Sequence, residues 1–204
     1  MTVVAGPVFA LALVVGAAGV LKLGRPESAV VALRTAGLPH PVVGVRLLGL
    51  AEISLAAAVL AFGSALTTVA LALAYAGFAG FAALLMVRSD RAASCGCFGV
   101  ASAAPTTALH VGVNIGAALV AIVAVAWPPG ALGDVMVDQP LAGVPFLVLT
   151  GALAWMVIAV LTVVPDLLDA NAAVHADRTP VDDHDDHDHH PGADVAVPLG
   201  ATRR

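Results

Sequence analysis

The sequence predicts an all-α integral membrane bundle, with a four-helix core, a fifth transmembrane helix beside it and a disordered C-terminal tail. Three observations carry this expectation. Of the 204 residues, 60% are hydrophobic and 11% are charged, where a soluble domain carries about 25% charged residues. The apolar residues gather into five runs, each near the ~20 residues that cross ~30 Å of hydrocarbon as a helix. The charges are also partitioned, with six basic and five acidic side chains in residues 1–165 but three basic and nine acidic in residues 166–204.

The first run, Ala5 to Leu23, ends where Lys22, Gly24, Arg25 and Pro26 combine charge with helix-breaking chemistry. It lacks a positive leading segment and exceeds the ~7–15 residues of a signal-peptide core, so it reads as a retained helix. The second, Val42 to Phe62, follows Pro39-His40-Pro41, which reads as an interfacial turn, and precedes Gly63-Ser64-Ala65. The third, Leu66 to Val87, stops at Arg88, Ser89, Asp90 and Arg91; the fourth, Leu109 to Trp127, stops before Pro128 and Pro129. The fifth, Val144 to Val164, is closed by Pro165 and Asp166. Unpaired backbone groups are costly in lipid, so each run is expected to be helical. Pro145 and the segment around Asp134 and Asp138 leave open a less regular fifth element. The expected organisation is residues 1–127 as a four-helix membrane domain, 128–165 as a connection and fifth helix, and 166–204 as the tail.

Charge excludes one partner class and suggests an orientation. No Lys/Arg cluster offers a phosphate-binding face, so no nucleic-acid partner is expected. The expected environment is the bilayer of the cell membrane, crossed several times. Lys22, Arg25, Arg34 and Arg46 flank the first connection and Arg88 and Arg91 the third, whereas the second and fourth contain no Lys or Arg. By the positive-inside rule the first and third connections are cytoplasmic and the N-terminus is outside. Lys22 and Arg25 are expected to meet anionic headgroups, and Trp127 and Trp155 are candidate interface anchors. Two small-residue pairs, Gly112/Gly116 and Ala76/Gly80, are candidate helix contacts.

The only two cysteines, Cys95 and Cys97, stand either side of Gly96 in Ser94-Cys95-Gly96-Cys97-Phe98-Gly99. Three uses follow. The pair can exchange thiols and disulfides, one thiolate attacking a partner disulfide and its neighbour resolving the mixed intermediate. It can capture a soft metal, although two thiolates do not complete a tetrahedral site. Or it can pack as two small apolar side chains in a fixed turn. A bridge across so short a loop needs a bent backbone, and Gly96 eases that bend.

Glu52 falls near the centre of the second run, where a carboxylate must meet a donor or face the bundle interior. Its candidate partners are Lys22, Arg46, Tyr75, His110 and Asn114. His110 and Asn114, four residues apart, share a helix face just past the cysteine segment. There His110 would handle a proton or stabilise a thiolate and Asn114 would orient a neighbour, unless both are polar packing contacts. In the tail, His184, His187, His189 and His190 alternate with aspartates; this composition suits loose binding of Zn, Ni or Cu, or a solvated segment with no ligand. No cofactor is implied.

Four features together carry a family resemblance: Lys22 before a proline-containing connection, Leu50-Ala51-Glu52 in the second run, Cys95-Gly96-Cys97-Phe98-Gly99, and Asn114 soon after. Over residues 5–127 the chain resembles the MauE family of methylamine utilisation membrane proteins, within a broader DoxX-like group. The resemblance implies a helical membrane protein serving the maturation of methylamine dehydrogenase, a periplasmic enzyme rich in disulfides, beside a thioredoxin-like partner. It further implies that Cys95 and Cys97 transfer electrons or disulfides and that Glu52 and Asn114 belong to the membrane core. The His/Asp tail departs from it. Transport of a small solute or metal ion past Glu52 and His110, and a noncatalytic scaffold, are the competing expectations.

Overall fold

A computed structural model describes residues 4–39, 41–88, 106–138 and 140–176, and among these the chain is helical with no strand. The helices are α1 (Ala5–Gly24), α2 (Glu27–Thr35), α3 (Val42–Phe62), α4 (Ala65–Arg88), α5 (Ala108–Ala126), α6 (Leu132–Asp138) and α7 (Pro140–Ala176). Of these α1, α3, α4, α5 and the Gly143–Pro165 part of α7 are long and apolar enough to cross a bilayer. The chain is a multi-pass membrane protein.

Local chemistry explains the helix ends. Pro41, held extended, precedes the first residue of α3, and Gly63 closes that helix in the left-handed region at φ +50°, where a side chain would be strained. A Cβ on Gly63 would also collide with the backbone of Gly130, whose N–H donates to the Gly63 carbonyl at 3.2 Å. At the opposite end, Gly37 (φ +67°) leaves room for the Arg88 guanidinium, which donates to the Ala36 carbonyl at 2.6 Å. These contacts fix an up-and-down course. The α1–α3 connection meets the end of α4 at one end of the bundle, and the α3–α4 and α5–α6 turns meet at the other.

Helix α1 forms the centre, packed mainly on α3 and α7, while α4 pairs with α5. Phe9, Ala12 and Val15 of α1 join Val59, Leu71, Tyr75 and Ala121 in the main core. Within the bundle, the backbones of α1 and α3 approach closely. A Cβ built on Gly19 would stand 2.6 Å from the Gly49 carbonyl oxygen, one on Gly49 would stand 2.7 Å from that of Gly19, and one on Gly16 would stand 3.1 Å from Ala56 Cβ. The small-residue contact is therefore on α1 and α3, rather than at Gly112/Gly116 or Ala76/Gly80. Cβ positions built on Gly112, Gly116 and Gly80 meet nothing within 4 Å, and Ala76 is exposed. The central helix has neighbours on several sides and needs glycine to admit them; the outer faces of α4 and α5 do not.

Three elements differ from the sequence expectation. The first connection contains α2, whose Ala29 and Ala32 turn inward while Val31 and Arg34 face outward; Ala32 and Ala36, the latter just past the helix end, pack with Leu85. Glu27 in its first turn and Arg34 in its last match the helix dipole. The fourth connection contains α6. Helix α7 does not end at Pro165 but passes through Pro145 and Pro165 to Ala176, so part of the segment expected to be tail is helical. Each proline forfeits one amide donor, a loss that membrane helices accommodate through neighbouring helices and local adjustment.

Candidate functional site

The sequence places one acidic side chain in α3 and one basic side chain near the end of α1, and the helix crossing brings them together. Gly19 lies one turn before Lys22, and Gly49 one turn before Glu52. Where the two glycines let the backbones touch, Lys22 Nζ donates to Glu52 Oε2 at 2.8 Å and lies 2.8 Å from Oε1 as well. The ammonium thus reaches both carboxylate oxygens, bonded to Oε2 and in ionic contact with Oε1 at the same distance. Lys22 is 5% exposed and Glu52 4%, so each charge depends on the other for compensation in an apolar surround. Lys22 is thus a core residue rather than a headgroup contact, and of the five candidate partners for Glu52 it is the one bonded to it. The ammonium also stands 5.6 Å from the centre of the Phe78 ring, within cation–π range.

Tyr75 extends this cluster. Its hydroxyl donates to the Leu11 carbonyl at 2.8 Å, tying α4 to α1, and its ring meets Phe78 edge-on with centroids 5.9 Å apart. On α5, extended Thr107 caps the helix and forms a capping box with His110. The Thr107 N–H donates to His110 Nδ1 at 3.2 Å, which assigns the ring proton to Nε2 when the ring is neutral. Asn114 Nδ2 donates to the His110 carbonyl at 2.7 Å. His110 and Asn114 therefore both have local structural partners, and neither is bonded to Glu52.

Two spaces adjoin Lys22. An inner cavity of about 30 Å³ is lined by Lys22, Tyr75, His110 and Asn114 among apolar side chains from α1, α4 and α7; it has room for a water or two with several polar partners. A larger groove of about 400 Å³ lies between α2, α3 and α4, and apart from Lys22 and Glu52 every residue lining it is apolar. Its lining residues Leu48 and Leu73 are 43% and 69% exposed, so it opens sideways at membrane depth.

The structure thus gathers Lys22, Glu52, Tyr75, His110 and Asn114 around two adjoining spaces. Cys95, Cys97, His184, His187, His189 and His190 lie outside the described residues. Among the described residues there is no group of three His, Cys, Asp or Glu side chains able to hold a metal. Sequence reasoning named Tyr75 as a candidate partner of Glu52 but did not single out Phe78 or the Gly19–Gly49 crossing. The matching spacing of Gly19 to Lys22 and Gly49 to Glu52 was the available signal.

Fold and site define a polytopic helical membrane protein with a buried ion pair at its central crossing. A family model described as methylamine utilisation protein MauE matches residues 2–128. The chain belongs to the MauE family and is a membrane protein related to methylamine utilisation. No curated protein and no solved structure matches the chain.

Proposed function

We propose that this membrane protein is a thiol–disulfide redox or maturation factor, with Cys95 and Cys97 as the exchanging pair. The observation that carries this reading is Cys95-Gly96-Cys97 itself, the only two cysteines of the chain, held within the family-matched segment between α4 and α5. One thiolate attacks a sulfur of the client's disulfide, and that S–S bond breaks with the electron pair leaving on the other sulfur. The second thiolate then attacks the mixed disulfide and releases the client as a dithiol. The client is reduced by two electrons and the pair is oxidised to a disulfide. A thioredoxin-like dithiol restores it, and the reverse sequence makes a client disulfide. The family name supports a client in methylamine oxidation, with methylamine dehydrogenase biogenesis as the proposed process.

In this reading the other candidate residues position the exchanging segment. The Lys22–Glu52 pair fastens α1 to α3, and His110 and Asn114 order the first turns of α5, into which the cysteine segment leads. Acid-quenched membranes, alkylated before and after reduction and read by mass spectrometry, test the proposal. Growth-dependent interconversion of dithiol and disulfide, with a client trapped by Cys95→Ser or Cys97→Ser, is expected. Free thiols under every condition, with no trapped client, would overturn it.

A further inference from the structure

The inner cavity beside Lys22 differs from the groove in being ringed by polar groups whose donor and acceptor roles the local hydrogen bonds assign. Lys22 Nζ carries three N–H groups, and its two contacts with Glu52, at 2.8 Å each, leave at least one. His110 Nδ1 accepts from the Thr107 N–H, so Nε2 of the neutral ring is a donor. Asn114 commits its Nδ2 to the His110 carbonyl, which leaves Oδ1 as an acceptor, and the Tyr75 oxygen keeps its lone pairs after donating to Leu11. All four side chains line a space of about 30 Å³, and Lys22, Tyr75 and His110 are only 5%, 3% and 3% exposed. Two donors and two acceptors thus border one small buried space.

We propose that this cavity binds an ordered internal water that accepts from Lys22 Nζ and His110 Nε2 and donates to Asn114 Oδ1 and the Tyr75 hydroxyl oxygen. Water is the complement of that set, since it too has two hydrogens to give and two lone pairs to offer. A buried water needs about 10–15 Å³ and two to four polar partners, and the cavity supplies both. A hydrocarbon group in its place would leave the same polar atoms unpaired. Lys22, Phe78 and Phe81 line this cavity and the groove alike, so one wall divides a hydrated site from a space open to lipid.

The water joins the α1–α3 ion pair to the start of α5, where the hydrogen bonds of His110 and Asn114 are otherwise local. Removing the ion pair takes away one of the water's donors, and the His110 ring loses the partner that holds its Nε2 side. The cap of α5 then loosens although no residue of α5 has changed. This coupling holds whether or not Cys95 and Cys97 exchange disulfides.

The test uses the full chain in nanodiscs. A short X-ray pulse splits water into hydroxyl radicals, which modify only side chains next to a water molecule, and mass spectrometry locates the products. Modification of Tyr75 and His110 is expected despite their burial, while Phe9, fully buried in the main core and outside the cavity lining, stays unmodified. Ala82→Leu, which builds into the cavity, and Asn114→Leu, which removes an acceptor, should each abolish modification at His110. The double variant Lys22→Met with Glu52→Leu removes the ion pair without stranding a charge. In it, modification at His110 should fall and hydrogen exchange at the amides of Thr107 to Val111 should quicken. Unmodified Tyr75 and His110 in the wild type, equal modification of Phe9, or modification undiminished in whichever leucine variant folds overturns the water site. Unchanged exchange at Thr107 to Val111 in the double variant overturns the coupling.

Discussion

Lys22 and Glu52, thirty residues apart in sequence, form a bonded ion pair on two adjacent membrane helices, with both carboxylate oxygens 2.8 Å from the ammonium nitrogen. Removing one partner strands the other charge away from water. Lys22→Met and Glu52→Leu are each expected to destabilise the bundle by roughly 3–5 kcal/mol, the cost of breaking a buried pair. The double variant should recover much of that loss. Reversible unfolding in mixed micelles measures all three, and additive losses would show that the pair is not coupled.

The crossing of α1 and α3 predicts a contrast among glycines. Gly19→Ala and Gly49→Ala place a methyl group against a backbone carbonyl and should each cost about 1–3 kcal/mol as the helices are forced apart. Gly112→Ala and Gly116→Ala meet open space and should be neutral or stabilising by up to about 1 kcal/mol, from helix propensity alone. The same unfolding assay ranks the four; equal effects at both places would contradict the crossing.

Tyr75→Phe deletes the hydroxyl that reaches Leu11 and keeps the ring against Phe78. Membrane hydrogen bonds of this kind average about 0.6 kcal/mol and reach about 1.7, so the expected loss lies in that range. Tyr75→Ala, which also removes the ring, should cost at least twice as much.

Topology can be read chemically. In right-side-out vesicles, an impermeant thiol reagent should label cysteines introduced at Thr35 and Phe62 with opposite accessibility, because these residues stand at opposite ends of the bundle. Native Cys95 and Cys97 should follow Thr35→Cys, since Arg88 at the end of α4 is bonded to Ala36. The positive-inside rule puts that end in the cytoplasm, whereas exchange with a periplasmic client needs the cysteines outside; labelling from outside would reverse the charge-based orientation and favour the client reading.

His110→Ala should loosen the first turn of α5 by about 0.5–2 kcal/mol, as cap losses do. His110→Glu, which restores an acceptor to the capping box, should recover most of it. Hydrogen exchange at the amides of Thr107 to Val111 reports the change. If both variants exchange as the wild type does, the ring is not a cap.

Much of the architecture was legible because lipid makes few demands and makes them strictly. Apolar run length located the five spans, and Arg25, Trp127 and Gly63 marked their ends within a residue or two. Helix α2 was missed because its apolar stretch, Ala29 to Leu33 between polar ends, is only five residues long; its inward Ala32 declares itself only against Leu85. The continuation of α7 through Pro165 was missed because proline is a strong stop signal in water and a weaker one among membrane helices. At the site, Glu52 stood out as a charge in an apolar run, but its partner could not be chosen. Lys22 sits where a headgroup contact is equally natural, and only the register between Gly19 and Gly49 decides between them.

That register also bears on how the chain is assembled. Helix α1 is synthesised before α3, and Lys22, near its end, can hold its ammonium at the headgroup level while it waits. Glu52 lies ten residues from either end of α3 and has no such refuge once that helix enters the bilayer. Capture of the lysine by the carboxylate draws the end of α1 onto the middle of α3. An unassembled α3 therefore carries a costly carboxylate at membrane depth, and pairing with Lys22 relieves that cost.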